Sequence, residues 1–138
     1  MTRALILVAL LSLTGAVHAQ DFLSGRYLPK DATARDRAAP KLRVTADGNG
    51  WTALFDGAPM RLERVSVATL ADMFPDVAID AHLQCAASTK LLLCHVDRGT
   101  RFEREGFSAT TGYFLVVIGS AAFELVRLAD DTPPAQVR

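Results

Sequence analysis

Five side chains lie close enough along the chain to act together: His82, Cys85, Cys94, His95 and Asp97. Imidazole and thiolate are zinc ligands, and a carboxylate beside a histidine can complete a metal set or an acid–base pair. Spacing decides between these chemistries and a plainer one. From Gln84 to His95 the chain reads as a β-hairpin turning at Thr89-Lys90, so that Ser88 faces Leu91 and, counting outward, Cys85 faces Cys94. Alternation then puts Leu83, Cys85, Ala87, Leu92, Cys94 and Val96 on one face, and His82, Gln84, Leu91, Leu93, His95 and Asp97 on the other. The histidines point away from the sulfurs, which argues against a metal site. In a non-hydrogen-bonded antiparallel pair the α-carbons lie about 4.5 Å apart, within the reach of a disulfide. The expectation is therefore a Cys85–Cys94 disulfide, with no metal and no cofactor. The other face reads as a solvated surface on which His82 meets Asp97 and Gln84 meets His95.

The remaining catalytic signatures are missing from the sequence. It contains no Gly-x-Ser-x-Gly elbow, no phosphate-cradling glycine loop and no His-Glu-x-x-His helix. Joined sulfurs leave no cysteine nucleophile, so the reading is non-enzymatic. What the sequence does offer is a charged stretch from Asp97 to Phe107 that interleaves arginine with phenylalanine. Arginine and aromatic side chains dominate binding energy at protein interfaces, and loops held on rigid scaffolds carry recognition. Arg98, Arg101, Phe102, Arg104 and Phe107 are the expected protein-binding residues.

The elements that must position these groups are mostly short strands separated by turn signals. Gly25 to Pro29 reads as a first strand, followed by a polar, alanine-rich connection from Asp31 to Pro40. Lys41 to Ala46, Trp51 to Phe55 and the run from Ala58 to Val67 form a meander, reversed at Asp47-Gly48-Asn49-Gly50 and at Asp56-Gly57. Between Val67 and Phe74 the apolar period becomes helical, with Leu70, Met73 and Phe74 on one side and Pro75 as the stop. The last hairpin pairs Tyr113–Ile118 with Ala121–Leu128 around Gly119-Ser120. That turn would put Phe114, Val116, Ile118, Ala121, Phe123 and Leu125 on one uncharged face, the expected centre of the core. The opposite face is nearly as apolar and needs a second cover, which the short helix could supply. The fold class that follows is mainly β: a small antiparallel meander of about eight strands, closed or strongly curved into a barrel-like sheet, with one short helix.

Composition bounds the rest. The 138 residues carry 15 basic and 15 acidic side chains. Met1 to Ala19 has the order of a signal peptide: Arg3, the apolar run Ala4–Leu13, then small residues at Val17 and Ala19. The run is about half the roughly 20 residues a membrane span needs. The expected organisation is a leader at 1–19, one β domain at 20–129 starting from an unlipidated Gln20, and a flexible tail at 130–138. With the leader's Arg3 gone, a charge near zero excludes general nucleic-acid binding, which needs a gathered basic excess. No polybasic or amphipathic segment supplies a stable membrane anchor. An exported, periplasmic or secreted, disulfide-stapled domain without catalytic residues fits a module that binds another periplasmic or envelope protein, of the inhibitor or immunity type. The alternative is a small β-barrel carrier of an apolar ligand, distinguished by a cavity of several hundred cubic ångströms open to solvent.

Overall fold

The computed structural model describes residues 21–33 and 41–128. The leader at 1–19, Gln20, most of the connection before Pro40 and the tail at 130–138 lie outside the described residues. In chain order the elements are β1 (Gly25–Pro29), β2 (Leu42–Asp47), β3 (Gly50–Phe55), β4 (Ala58–Arg64), α1 (Val67–Met73) and a short 3-10 turn (Ile79–Ala81). They continue with β5 (Gln84–Ala87), β6 (Leu91–His95), β7 (Thr100–Phe102), β8 (Phe107–Ala109), β9 (Tyr113–Val117) and β10 (Ala121–Leu128).

Eight of these strands close into an antiparallel barrel. Each pairs with the next in sequence, from β1 through β6 and on to β9 and β10, and β10 pairs back onto β1. The β7–β8 hairpin is an insertion between β6 and β9 and forms its own two-stranded sheet. Local chemistry sets the turns. Asp56 and Gly57 both adopt positive φ, the requirement of a two-residue hairpin turn whose twist matches its strands. α1 begins where the Ser66 hydroxyl accepts the Thr69 N–H, and it ends at Phe74, just before Pro75.

Two cores share one wall. Inside the barrel lie Tyr27, Leu42, Val44, Trp51, Leu62, Leu93, Leu115 and Leu125, with Phe22 and Leu23 plugging the end from which β1 starts. Outside the wall made by β5, β6 and β9, a second cluster gathers Cys85, Leu92, Cys94 and Phe114 under Leu70 and Phe74 of α1 and Phe102 and Ala109 of the inserted hairpin. The aromatic rings there meet mostly edge to face, Phe74 on Phe102 at 5.4 Å and Phe102 on Phe114 at 4.9 Å. β6 is therefore buried on both sides, and its sequence Leu-Leu-Leu-Cys shows no polar alternation.

The expected solvated face of the cysteine hairpin is corrected here: Gln84, Leu91, Leu93 and His95 lie on the barrel's interior side, and Leu91 and Leu93 are buried in the barrel core. A second correction concerns the last hairpin. Its register pairs Ala121 with Val117 and Phe123 with Leu115, one residue off the expected pairing. The loop holds three residues, because Gly119 takes φ +80° at the third position of a turn closed by Ser120 N–H donating to the Val117 carbonyl at 3.0 Å. A one-residue slip exchanges the faces of one strand relative to the other. Leu115 and Leu125 consequently face the interior, Phe114 faces the second core, and Phe123 and Ile118 are 46% and 57% exposed instead of central.

Candidate functional site

The Arg98–Phe107 stretch forms the loop and hairpin of β7 and β8. Phe102 is completely buried in the second core, so it is not a surface residue. Phe107 is half-buried, its ring stacked at 4.8 Å on that of Phe102. The aromatic half of the expected binding set is thus spent on holding the hairpin down. Arg98, Arg101 and Arg104 remain exposed. Arg101, Glu103, Gly106, Phe107 and Ser108 line a shallow depression of about 270 Å³.

Cys85 and Cys94 are joined, in the expected register, with α-carbons 4.1 Å apart. His82 caps the 3-10 turn in a left-handed conformation and meets Asp97 across 2.9 Å, the contact the spacing predicts. Hydrogen bonding to Asp97, reinforced by its charge, holds the His82 imidazole above its ordinary pKa. His95 lies on the interior side of the wall, its ring 4.8 Å from that of Tyr113 and its Nδ1 buried without a hydrogen-bond partner. Burial pushes its pKa down, and Arg127 adds to that against the opposing field of Asp97. Among the described residues, no three His, Cys, Asp or Glu side chains gather as metal ligands.

The two ends of the barrel differ. At the end where β1 begins, Asp21 accepts hydrogen bonds from the N–H groups of Leu23 and Ser24 and from the Trp51 indole at 3.0 Å. Desolvation raises the Asp21 pKa, but these hydrogen bonds outweigh it and leave the carboxyl below its usual value. Arg64 lies over the rings of Phe22 and Trp51, at 4.9 and 5.3 Å. The Tyr27 hydroxyl donates to the Leu23 carbonyl, and Arg127 donates to the Tyr113 hydroxyl. This end is filled and tied shut.

Among the described residues, the opposite end is open. A cavity of about 340 Å³ enters the barrel there, between the end of β1 and the start of β2 on one side and the β9–β10 hairpin on the other. Its floor is the buried set Tyr27, Leu42, Leu115 and Leu125. Pro29, Lys41, Phe55, Val117 and Phe123 line its walls and rim, and Phe55 and Phe123 remain 40% and 46% exposed. At this level β9 and β10 pair Val117 with Ala121, and the rings of Phe55 and Phe123 remain partly in solvent. Sequence reasoning assigned no residue to this site. The off-by-one register hid it, since it counted Phe123 as central core.

Fold and site together define a class: an eight-stranded up-and-down antiparallel barrel, plugged at one end and open through an apolar mouth at the other. Comparison with protein-family models, with curated proteins and with solved structures finds no match to this chain.

Proposed function

We propose that this chain is a non-enzymatic binding protein that holds a small apolar molecule, or the apolar part of a larger one, in the open end of its barrel. The observation that carries this reading is the 340 Å³ mouth, floored by buried leucines and rimmed by half-exposed phenylalanines. Its volume falls within the range of roughly 300 to 1,000 Å³ usual for small-molecule sites, and an eight-stranded barrel is wide enough for one such ligand. Partly exposed aromatic rings at a concave rim gain free energy when an apolar group covers them. Export supports the same picture. The leader-like order of residues 1–19 and the Cys85–Cys94 disulfide both fit an oxidising compartment beyond the cytoplasmic membrane.

The test uses the neutral dye N-phenyl-1-naphthylamine, which brightens in apolar surroundings. It should bind the purified protein at about one equivalent, and Phe55→Ser with Phe123→Ser should weaken it at least about tenfold, or 1.4 kcal/mol. Absence of a saturable signal would overturn the reading.

A second reading is favoured by the depression beside Arg101 and Phe107. It is the capture of another envelope protein, as an inhibitor or immunity-type module, through Arg98, Arg101, Arg104 and the edge of Phe107. Pull-down of a partner that is lost on Arg101→Ala with Arg104→Ala, from a protein that binds no dye, would establish it in place of the first.

A further inference from the structure

Among the described residues lining the mouth of the barrel there is one cation. Lys41 is the only ionised side chain among its described lining residues, and none of those residues is a carboxylate. The Tyr27 hydroxyl is engaged away from the cavity, with the Leu23 carbonyl at the plugged end. Lys41 itself is held only loosely: its ammonium lies 4.0 Å from Asp56, at the limit of an ion pair, and both side chains are well exposed. The neighbouring cation Lys30 is committed, by contrast, to Glu124 at 3.1 Å and to the Thr110 hydroxyl at 2.7 Å.

We propose that the ligand is a single-chain amphiphile with an anionic head, of the fatty-carboxylate class, its chain in the bore and its head at Lys41. This rests on the reading of the open end as an apolar site and adds the ligand's chemistry to it. Shape argues for one chain. A volume of about 340 Å³ holds about ten methylene-sized units, taking each at roughly the 30 Å³ of a water molecule. Two chains of about ten carbons each would need about twice that space (~20 units). Charge argues for the head. An apolar cavity whose described lining bears an ammonium and no carboxylate leaves an anion solvated at the surface while its chain is buried, and it disfavours a cationic head. A loosely paired, exposed lysine can also turn to meet that head without leaving a charge stranded.

The experiment displaces N-phenyl-1-naphthylamine with saturated carboxylates of 6 to 14 carbons (~6–14) and with the matching alcohols, all below their micelle concentrations, at low and high salt. Affinity should rise roughly fourfold per added methylene, from about 0.8 kcal/mol for each one buried, and should flatten at about ten carbons as further carbons remain in water. At low salt the carboxylate should bind about two- to fivefold better than the alcohol of equal length, the range of an exposed ion pair. High salt should close that gap, as should Lys41→Gln, and Lys41→Glu should reverse it. Because Lys41 is exposed, both variants should keep the parent's thermal stability. Equal binding of carboxylate and alcohol, or a gap that survives Lys41→Gln, would overturn the anionic head while leaving the apolar site standing. Failure of both series to displace a bound dye would overturn the chain assignment, and failure of the dye itself to bind would remove the apolar site and this inference together.

Discussion

His82 and His95 lie at the open end of the β5–β6 hairpin, and their pKa values are displaced in opposite directions. His82 is exposed and gains a proton-favouring partner in Asp97, whereas His95 loses water against Tyr113 and gains no hydrogen bond at Nδ1. A folded pKa above the unfolded value gives stability that is present below 6.5 and lost as pH rises through the folded value. A histidine with a depressed folded pKa acts oppositely: its contribution is complete above 6.5 and declines as pH falls toward the folded value. NMR titration should therefore find His82 above 6.5 and His95 below it, with Asp97→Asn returning His82 toward 6.5. Coincident midpoints would contradict both environments. The Asp97 contact was legible from spacing, since it requires only that residues 82 and 97 be equidistant from the hairpin turn. The burial of Phe102 was not. Arg101, Phe102 and Glu103 form an alternating strand tip with either face available to solvent, and only the arrival of Phe74 and Phe114 from distant elements decides which face is covered.

The cysteine hairpin and the last hairpin show what makes an element readable. Thr89-Lys90 is flanked by residues whose register is confirmed twice, by the pairing of Ser88 with Leu91 and by the disulfide. Gly119-Ser120 looks equally like a two-residue turn, but glycine tolerates several turn types, and the loop takes in Ile118 as well. Nearly all of the side chains in the paired stretch are apolar, and its one charge, Glu124, lies opposite an apolar residue in either register, Phe114 as observed or Leu115 as expected, so it did not separate the two. Mutation separates the two registers. Phe114→Ala should cost about 3 to 5 kcal/mol, the usual result of emptying a buried aromatic site. Phe123→Ala should cost no more than about 1 kcal/mol, because its ring is already half in water. Urea unfolding of both variants is the measurement, and equal losses would restore the two-residue turn. Replacing Cys85 and Cys94 together with alanine should remove about 2 to 3 kcal/mol, as expected for a cross-link across so short a loop, while the circular dichroism of the barrel is kept.

For the whole molecule, the strand count and the meander were legible because each barrel strand pairs with its neighbour in sequence. The exception is the return of β10 to β1. The open mouth was not legible, because filling or emptying a barrel depends on the sizes of side chains from all eight strands at one level. The plug at the other end makes a separate prediction. Asp21→Ala removes acceptors for two backbone N–H groups and the indole of Trp51, and should destabilise the fold by about 1 to 2 kcal/mol. The Asp21 carboxyl has a lowered folded pKa, so its contribution is present above the unfolded value of 3.8 and lost as pH falls through the folded one. The fluorescence of Trp51, the chain's one tryptophan, reports both effects, and an unchanged acid transition in the variant would argue against the plug. The pairing of β1 with β10 also has a kinetic side. Arg26 faces Leu128 and Pro29 faces Leu125, across nearly the whole described chain, so this seam cannot zip until the last strand is available. In the interval β1 offers one unpaired backbone edge, and a chain emerging with its N-terminus first would expose that edge throughout its emergence. The same adjacency makes the barrel a candidate for circular permutation: a linker joining residue 128 to residue 21, so that the Asp21–Ser24 plug is kept, with new ends cut at Asp56-Gly57, would turn the seam into a hairpin and bring its closure forward.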